Sequence, residues 1–292
     1  EDIQRAADLF RDAYEASGGS EGFVSLEVSP EVAHDEEATY AEAVHLWRRL
    51  ARPNVFIKVP ATAEGIGAIR RLTSDGINVN VTLLFSLERY EQTIDAYVTG
   101  LEERLSRGED VSRVASVASF FLSRFDVFVD PLLDAMGTDQ AKALRGQAAV
   151  AYAKVAYESF SRRFSQSDER WRRLSAAGAR VQRLLWASTG TKDPSYPDTK
   201  YVEPLVGPET INTMPLETLD AYRDHGDPAP RVTEGLQEAK DAIAGLKAIG
   251  IDLEEVAAKL EAEGVEKFVT PFRSLLKTLE GALREAAVQT RD

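Results

Sequence analysis

One lysine stands inside an apolar run, Val55-Phe56-Ile57-Lys58-Val59. Extended backbone sends alternate side chains to opposite faces. Lys58 therefore shares a face with Phe56, while Val55, Ile57 and Val59 point the other way. An ammonium group in apolar surroundings loses hydration and gives up its proton more readily, and the neutral amine that results attacks carbonyl carbon. The ordinary alternative is a lysine near a strand end that merely reaches solvent. A second run, residues 77–83, puts Asn78, Asn80 and Thr82 on one face and Ile77, Val79, Val81 and Leu83 on the other. An earlier run, residues 22–28, has Phe23, Ser25 and Glu27 on one face and Val24, Leu26 and Val28 on the other. Two successive strands each offer a polar face, and a carboxylate ends the strand before them.

The elements that position these residues follow from pattern. Residues 54–86 have the form of a strand–helix–strand unit, with a helix from about 62 to 74 between the two runs and Gly76 at its end. The intervening helix implies parallel strands covered by helices, against the alternative of an antiparallel sheet with one wet side. Upstream, residues 2–17 carry an apolar stripe at helical spacing, and Asp35 is placed to cap a helix over 35–51. Downstream, Ser86 caps a helix to about 106, and a strand over 114–121 is followed by Arg124. Helices over 127–136, 139–164 and 168–176 precede a strand at 183–188 that ends in Trp186-Ala187-Ser188. A polar loop with Lys192 and Lys200 leads to a short strand at 211–214 and a helix to about 224. The tail, 233–289, is helical: Gly250 ends a first helix, Asp252 and Glu255 have capping-box spacing for a second, and a third over 266–286 is expected to bury Phe268, Phe272, Leu276, Leu279 and Leu283.

Strand–helix alternation predicts an α/β fold. Polar faces on the strands favour a (β/α)8-type TIM barrel, whose interior is lined by one face of each strand and whose active residues lie at strand C-terminal ends. A doubly wound sheet reads instead as continuous apolar runs and carries a glycine-rich phosphate loop, which this chain lacks. Only six strands are legible where the barrel needs eight, so the reading is an incomplete barrel with a C-terminal helical extension, one domain over 1–292.

Composition narrows the function. The chain has 292 residues, 35 basic against 48 acidic, and a net charge of −13. No basic patch interleaves with aromatics, so nucleic acid is not an expected partner. The absence of cysteine rules out disulfides, thiolate ligands and thiol nucleophiles and fits a reducing, cytoplasmic setting. No apolar run approaches ~18 residues, so a membrane is not an expected partner. His34, His45 and His225 sit at unrelated spacings and are read as neither catalytic nor metal-binding. Glu1-Asp2-Ile3-Gln4 is neither a signal peptide nor a Met start, so residues are expected upstream.

Several segments together resemble the transaldolase family, most closely its longer bacterial type. They are Ser25-Leu26-Glu27-Val28, Phe56-Ile57-Lys58-Val59-Pro60-Ala61-Thr62, Ile77 to Ser86, Val117-Ala118-Ser119-Phe120-Phe121 with Ser123-Arg124, Leu185-Trp186-Ala187-Ser188, Asn212-Thr213-Met214-Pro215 and Gly264-Val265-Glu266-Lys267-Phe268. The resemblance implies an α/β barrel that moves a dihydroxyacetone unit between sugar phosphates, from sedoheptulose 7-phosphate or fructose 6-phosphate. It implies Lys58 as the Schiff-base lysine, with the protonated imine as electron sink, so that no metal or organic cofactor is needed. It implies Glu27 as the carboxylate working with a water in proton transfer, and Asn80 and Thr82 as positioning groups. Ser119 and Ser188 match hydroxyls of the substrate site, and Arg124 matches a phosphate-binding arginine. Without the resemblance, Glu27 reads as an ion-pair partner of Lys58, and Arg124 as a structural cap.

Two departures stand out. The family carries a second phosphate arginine shortly after the Ala-Ser of the Trp186 strand; here Lys192 takes its place, a point charge rather than a fork. The family's first two strands, with an aspartate that serves carbon–carbon cleavage, precede the first residue here, which accounts for the strand count and leads us to expect a chain that begins partway through the domain. Without such an acid/base group, cleavage slows by about 10²–10⁴-fold. Sugar phosphates are the expected partners, with the chain a monomer or homodimer. A fructose 6-phosphate aldolase that releases free dihydroxyacetone, and a non-catalytic barrel that only binds sugar phosphates, remain as alternatives; the helical tail favours the transferase.

Overall fold

A computed structural model describes residues 1–289, with side-chain surroundings described through residue 283; residues 290–292 of the domain read from sequence lie outside the described residues. The chain opens with two short helices, α1 (Asp2–Leu9) and α2 (Arg11–Ala16). It continues β1 (Val24–Glu27), α3 (Glu36–Leu50), β2 (Val55–Pro60), α4 (Ala63–Ser74), β3 (Val79–Leu84) and α5 (Leu87–Ser106). Then come β4 (Ser116–Phe121), four helices α6 (Ser123–Met136), α7 (Asp139–Leu144), α8 (Ala148–Arg163) and α9 (Glu169–Ala176), and β5 (Gln182–Ala187). A loop with one 3-10 turn leads to β6 (Thr210–Asn212), α10 (Leu216–His225), α11 (Leu236–Ala248) and the long α12 (Leu253–Gln289).

All six strands are parallel and lie in sequence order, each hydrogen-bonded to the next. Strands alternating with covering helices give the expected α/β architecture, in the arrangement of a (β/α) barrel, with the helical extension in place. Among the described residues β1 and β6 each pair on one side only. The sheet nonetheless curls around an interior. Arg183 just inside β5 reaches Glu21 ahead of β1 at 2.9 Å, and Arg180 donates to the Gly18 carbonyl at 2.9 Å. A cavity of about 910 Å³ is lined by residues from every strand, including Ser25, Phe56, Asn80, Val117, Leu185 and Ile211.

The two faces of each strand divide as the alternation predicts. Val55, Ile57, Val59, Val79 and Val81 are fully buried beneath the helices. The three helices after β1, β2 and β3 start at side-chain caps: Asp35 accepts from the Ala38 N–H at 3.0 Å, Thr62 from Gly65 at 3.0 Å and Ser86 from Arg89 at 2.9 Å. Each cap contributes about 1 kcal/mol and fixes where the strand's end gives way to helix.

Several boundaries differ from the sequence reading. The first helix breaks at Phe10. The helix expected over 139–164 divides at Gly146, whose φ of +71° suits glycine and stops α7 short of α8. The helix after β4 begins at Ser123, not 127, which puts Arg124 in its first turn. The second and third tail helices are one continuous element, because Gly264 in a packed helix costs only about 1 kcal/mol and does not end it. Leu276, Leu279 and Leu283, expected to be buried, are exposed, because this part of the helix runs past Val269, its last residue in the core. Asp252 does cap that helix, accepting from Glu254 N at 2.9 Å. Asn78 precedes β3 and serves structure: its amide donates to the Pro53 and Val55 carbonyls and accepts from Ala115 N.

Candidate active site

Strand register brings the predicted residues together. Glu27 of β1 is directly opposite Lys58 of β2, and Lys58 directly opposite Asn80 of β3. All three lie on interior positions, so they form a row at one level across three neighbouring strands. Lys58 Nζ stands 3.2 Å from Glu27 Oε2, with the two side chains 24% and 20% exposed. The sequence reading placed this amine in apolar surroundings; the structure sets it against a carboxylate, because register aligns the two strands' polar faces. Phe56 below Lys58 stacks on Phe23 with ring centroids 4.2 Å apart, and the Phe268 ring of α12 lies 5.7 Å from Nζ.

Burial pushes the Glu27 carboxyl above its ordinary value of 4.5, against the opposing pull of the Lys58 charge. A carboxyl so shifted takes up a proton more easily than a solvated one. That makes Oε2 a better acceptor for a proton from Nζ than a solvated carboxylate would be.

The Asn80 amide is oriented from both ends. Its Nδ2 donates to Ser25 Oγ at 3.0 Å and its Oδ1 accepts from Ser119 Oγ at 2.7 Å. One N–H and one lone pair remain for a further partner. Thr82, two residues beyond Asn80, is fully buried, and its hydroxyl has no hydrogen-bond partner among the described residues. The β3–β4 ladder slips between Val81 and Leu84, and Leu83 takes a φ of +52°. Such a conformation in a leucine stores about 1–3 kcal/mol of strain and re-aims the end of the strand.

Ser188 and Arg124 stand at the same ends of β4 and β5. Ser188 Oγ lies 2.9 Å from Ser123 Oγ, and the Ser123 N–H donates to the Ser188 carbonyl at 3.0 Å. Ser188 itself has a φ of +56°, which turns its side chain out of the strand's alternation. Arg124 follows immediately. Its guanidinium lies over the Phe121 ring at 5.5 Å, and its Nη1 is buried without a partner among the described residues. Burial lowers the Arg124 pKa, with Glu263 of α12 acting in opposition; the group stays charged. A buried, unpaired guanidinium nitrogen is suited to an oxyanion such as phosphate.

Lys192 is less integrated. It is exposed on the loop after β5, and among the described residues it makes no hydrogen bond or ion pair. The loop around it is firmly held: Lys200 donates to the Gly146 carbonyl at 2.6 Å, and Tyr196 to Asp130 at 2.6 Å. The histidines stay apart from the cluster; His34 faces Glu64 and His225 faces Asp198.

The 910 Å³ cavity is not the centre of this chemistry. It lies toward the amino ends of the strands and meets the cluster through Ser25, Phe56 and Asn80, without Lys58 or Glu27 in its lining. The reactive groups sit at its rim, toward the carboxyl ends. Two residues of the cluster lay outside the sequence reading of the site. Ser25 shares a strand face with Glu27 two positions on, a signal visible in the alternation. Phe268 belongs to a distant helix, and its apolar stripe marked it only as core.

Comparison with known proteins shows which family the chain resembles over nearly its whole length. A model of the transaldolase/fructose-6-phosphate aldolase family matches residues 1–279. Transaldolase of Parafrankia sp. (strain EAN1pec) is 51% identical over 287 residues, covering 98% of this chain and 77% of the relative. Transaldolase of Arthrobacter sp. (strain FB24) is 50% identical over 286 residues, 98% of this chain and 76% of the relative. Transaldolase 2 of Nostoc sp. (strain PCC 7120) is 48% identical over 294 residues, 97% of this chain and 77% of the relative.

Proposed function

The chain belongs to the transaldolase/fructose-6-phosphate aldolase family, and from that premise we propose that Lys58 carries a dihydroxyacetone unit from one sugar phosphate to another as an imine. Its activity is that of a transaldolase. The reaction we assign converts sedoheptulose 7-phosphate and glyceraldehyde 3-phosphate to erythrose 4-phosphate and fructose 6-phosphate. Lys58 Nζ, after passing a proton to Glu27, attacks the ketose C2. The carbinolamine loses water, with Glu27 returning the proton to the departing oxygen. The protonated imine accepts the electron pair of the breaking C3–C4 bond while the C4 hydroxyl gives its proton to water, and the aldose leaves. The acceptor's aldehyde carbon then bonds to C3 as its oxygen takes a proton from water, and hydrolysis at C2 frees the new ketose.

The single observation that supports this reading best is the 3.2 Å contact between Nζ and the Glu27 carboxylate, at matched register and beside Asn80. Asn80 and Ser119 would orient the sugar hydroxyls, Thr82 the water exchanged at C2, and Ser188 the substrate at the opposite rim. Arg124, with its unpaired buried nitrogen, would take the phosphate, with Lys192 adding a point charge. We read residues 1–292 as one barrel domain, supported by a continuous core from Ala7 to Val269. Among the described residues no helix is long and apolar enough to cross a membrane; the lack of cysteine supports a cytoplasmic setting, and we take the chain to act as a monomer or homodimer.

The test is turnover of fructose 6-phosphate with erythrose 4-phosphate as acceptor. Formation of sedoheptulose 7-phosphate, lost in Lys58→Met, supports the proposal. Dihydroxyacetone as the only three-carbon product, with acceptor untouched, identifies an aldolase instead. Binding without turnover identifies a sugar-phosphate binder.

A further inference from the structure

Helix α12 crosses the row of reactive groups and is pinned on both sides of it. On the β3 side, Glu254 accepts from Ser86 Oγ at 2.6 Å, from Leu87 N at 3.0 Å and from the Tyr152 hydroxyl, so the first turn of α12 caps the helix after β3. On the β1 side, Arg273 meets Glu31, just past the end of β1, at 2.7 Å. Lys58 of β2 lies between these anchors. The helix also runs low over the strands. A Cβ on Gly264 would stand 3.2 Å from Leu83 Cδ2 and 3.7 Å from Arg124 Nη1, so glycine there permits a close approach to the site. One turn on, the Phe268 ring faces Lys58 Nζ at 5.7 Å. In an imine on Nζ, both carbons bonded to C2 lie about 2.5 Å from the nitrogen. A three-carbon unit on Lys58 is therefore within reach of this ring.

We propose that Phe268 is a specificity-determining residue that keeps solvent protons from C3 of the Lys58-bound intermediate, and so sets the ratio of transfer to release. The inference rests on the Lys58 imine proposed above. After the aldose leaves, the intermediate is an enamine with nucleophilic C3. If C3 bonds to an acceptor aldehyde, a C–C bond forms and the aldehyde oxygen takes a proton. If C3 takes a proton from water first, hydroxide adds to C2, the C–N bond breaks and the nitrogen recovers a proton. The second course consumes one water and yields dihydroxyacetone and free Lys58. Both courses need water at C2, beside Glu27. Only release needs a proton at C3, and an aromatic ring has none to give. Phe268 covers the intermediate while leaving the Glu27 side of Lys58 polar.

The experiment uses the full chain with fructose 6-phosphate in D2O, with and without erythrose 4-phosphate. Released dihydroxyacetone, its deuterium content at the former C3 and sedoheptulose 7-phosphate are measured together. Phe268→Ala is expected to raise the release-to-transfer ratio by roughly 10-fold or more, with faster deuterium entry. Phe268→Leu, which refills most of the space, is expected to stay within about threefold of the parent. Borohydride trapping on Lys58 is expected to persist in both. A ratio and deuterium rate unchanged in Phe268→Ala, with trapping intact, overturn the inference alone. Absence of any adduct in the parent protein overturns the proposed function and this inference with it. Should Phe268→Ala unfold, Phe268→Val takes its place: a release-to-transfer ratio raised above those of the parent and Phe268→Leu supports the inference, and one unchanged from the parent overturns it.

Discussion

Replacing Glu27 by Gln tests the proton path with little change in shape. The carboxylate stands 3.2 Å from Lys58 Nζ and the pair is no more than a quarter exposed. At that separation and an effective dielectric of about 20, the attraction is roughly 5 kcal/mol before desolvation takes back part of it. The amide keeps a dipole but cannot accept the ammonium proton. A positioned acid/base group is worth about 10²–10⁴-fold, or roughly 3–5 kcal/mol of barrier. Imine formation in Glu27→Gln should therefore slow by at least about 100-fold, while KM for fructose 6-phosphate changes little. The assay is rapid mixing with the ketose followed by borohydride quenching at set times. The pH profile gives a second reading. Burial raises the Glu27 carboxyl above 4.5; below its raised value it is protonated and takes nothing from Lys58. The acid limb of kcat/KM should thus lie above the pH at which a solvated glutamate titrates, and should vanish in Glu27→Gln. Imine formation within about threefold of the parent, with the limb unmoved, would refute the reasoning.

Three further outcomes are expected. Arg124→Lys keeps the charge and loses the fork, so KM for sugar phosphates should rise about 10-fold with kcat nearly unchanged; steady-state kinetics at fixed ionic strength check this. Ser119→Ala leaves the buried Asn80 Oδ1 without its donor, and urea denaturation should show a loss of about 1–3 kcal/mol. Glu254→Ala removes the acceptor of Ser86 Oγ, Leu87 N and the Tyr152 hydroxyl, and should destabilise the chain by about 2–4 kcal/mol in the same measurement.

Much of this site is legible in the sequence because β-strands have a period of two. Once Glu27, Lys58 and Asn80 are assigned to strands, their common inward face follows. That they stand level with one another does not, since register depends on how strands slide, and alternation leaves that open. Hence the pairing of Glu27 with Lys58 is legible as one reading of the sequence, whereas their level register and 3.2 Å contact emerge only in three dimensions. Turns at strand ends are also opaque. Nothing local marks Leu83 or Ser188 for positive φ, a conformation that β3 and β5 accept because neighbours hold them. The tail shows the opposite limit. The pattern starts a separate helix at about residue 266, whereas in the fold one helix runs through and Gly264 is its point of close approach to Leu83. A residue such as Phe268, more than two hundred positions from Lys58, carries no sequence sign of the amine it faces.

The most direct test of the account is where the carbon chain attaches. The full protein is incubated with fructose 6-phosphate, reduced with borohydride, digested and sequenced by mass spectrometry. A reduced dihydroxyacetone adduct on Lys58 alone, absent in Lys58→Met, is the predicted result. An adduct on another lysine, or one that survives Lys58→Met, would contradict the central claim.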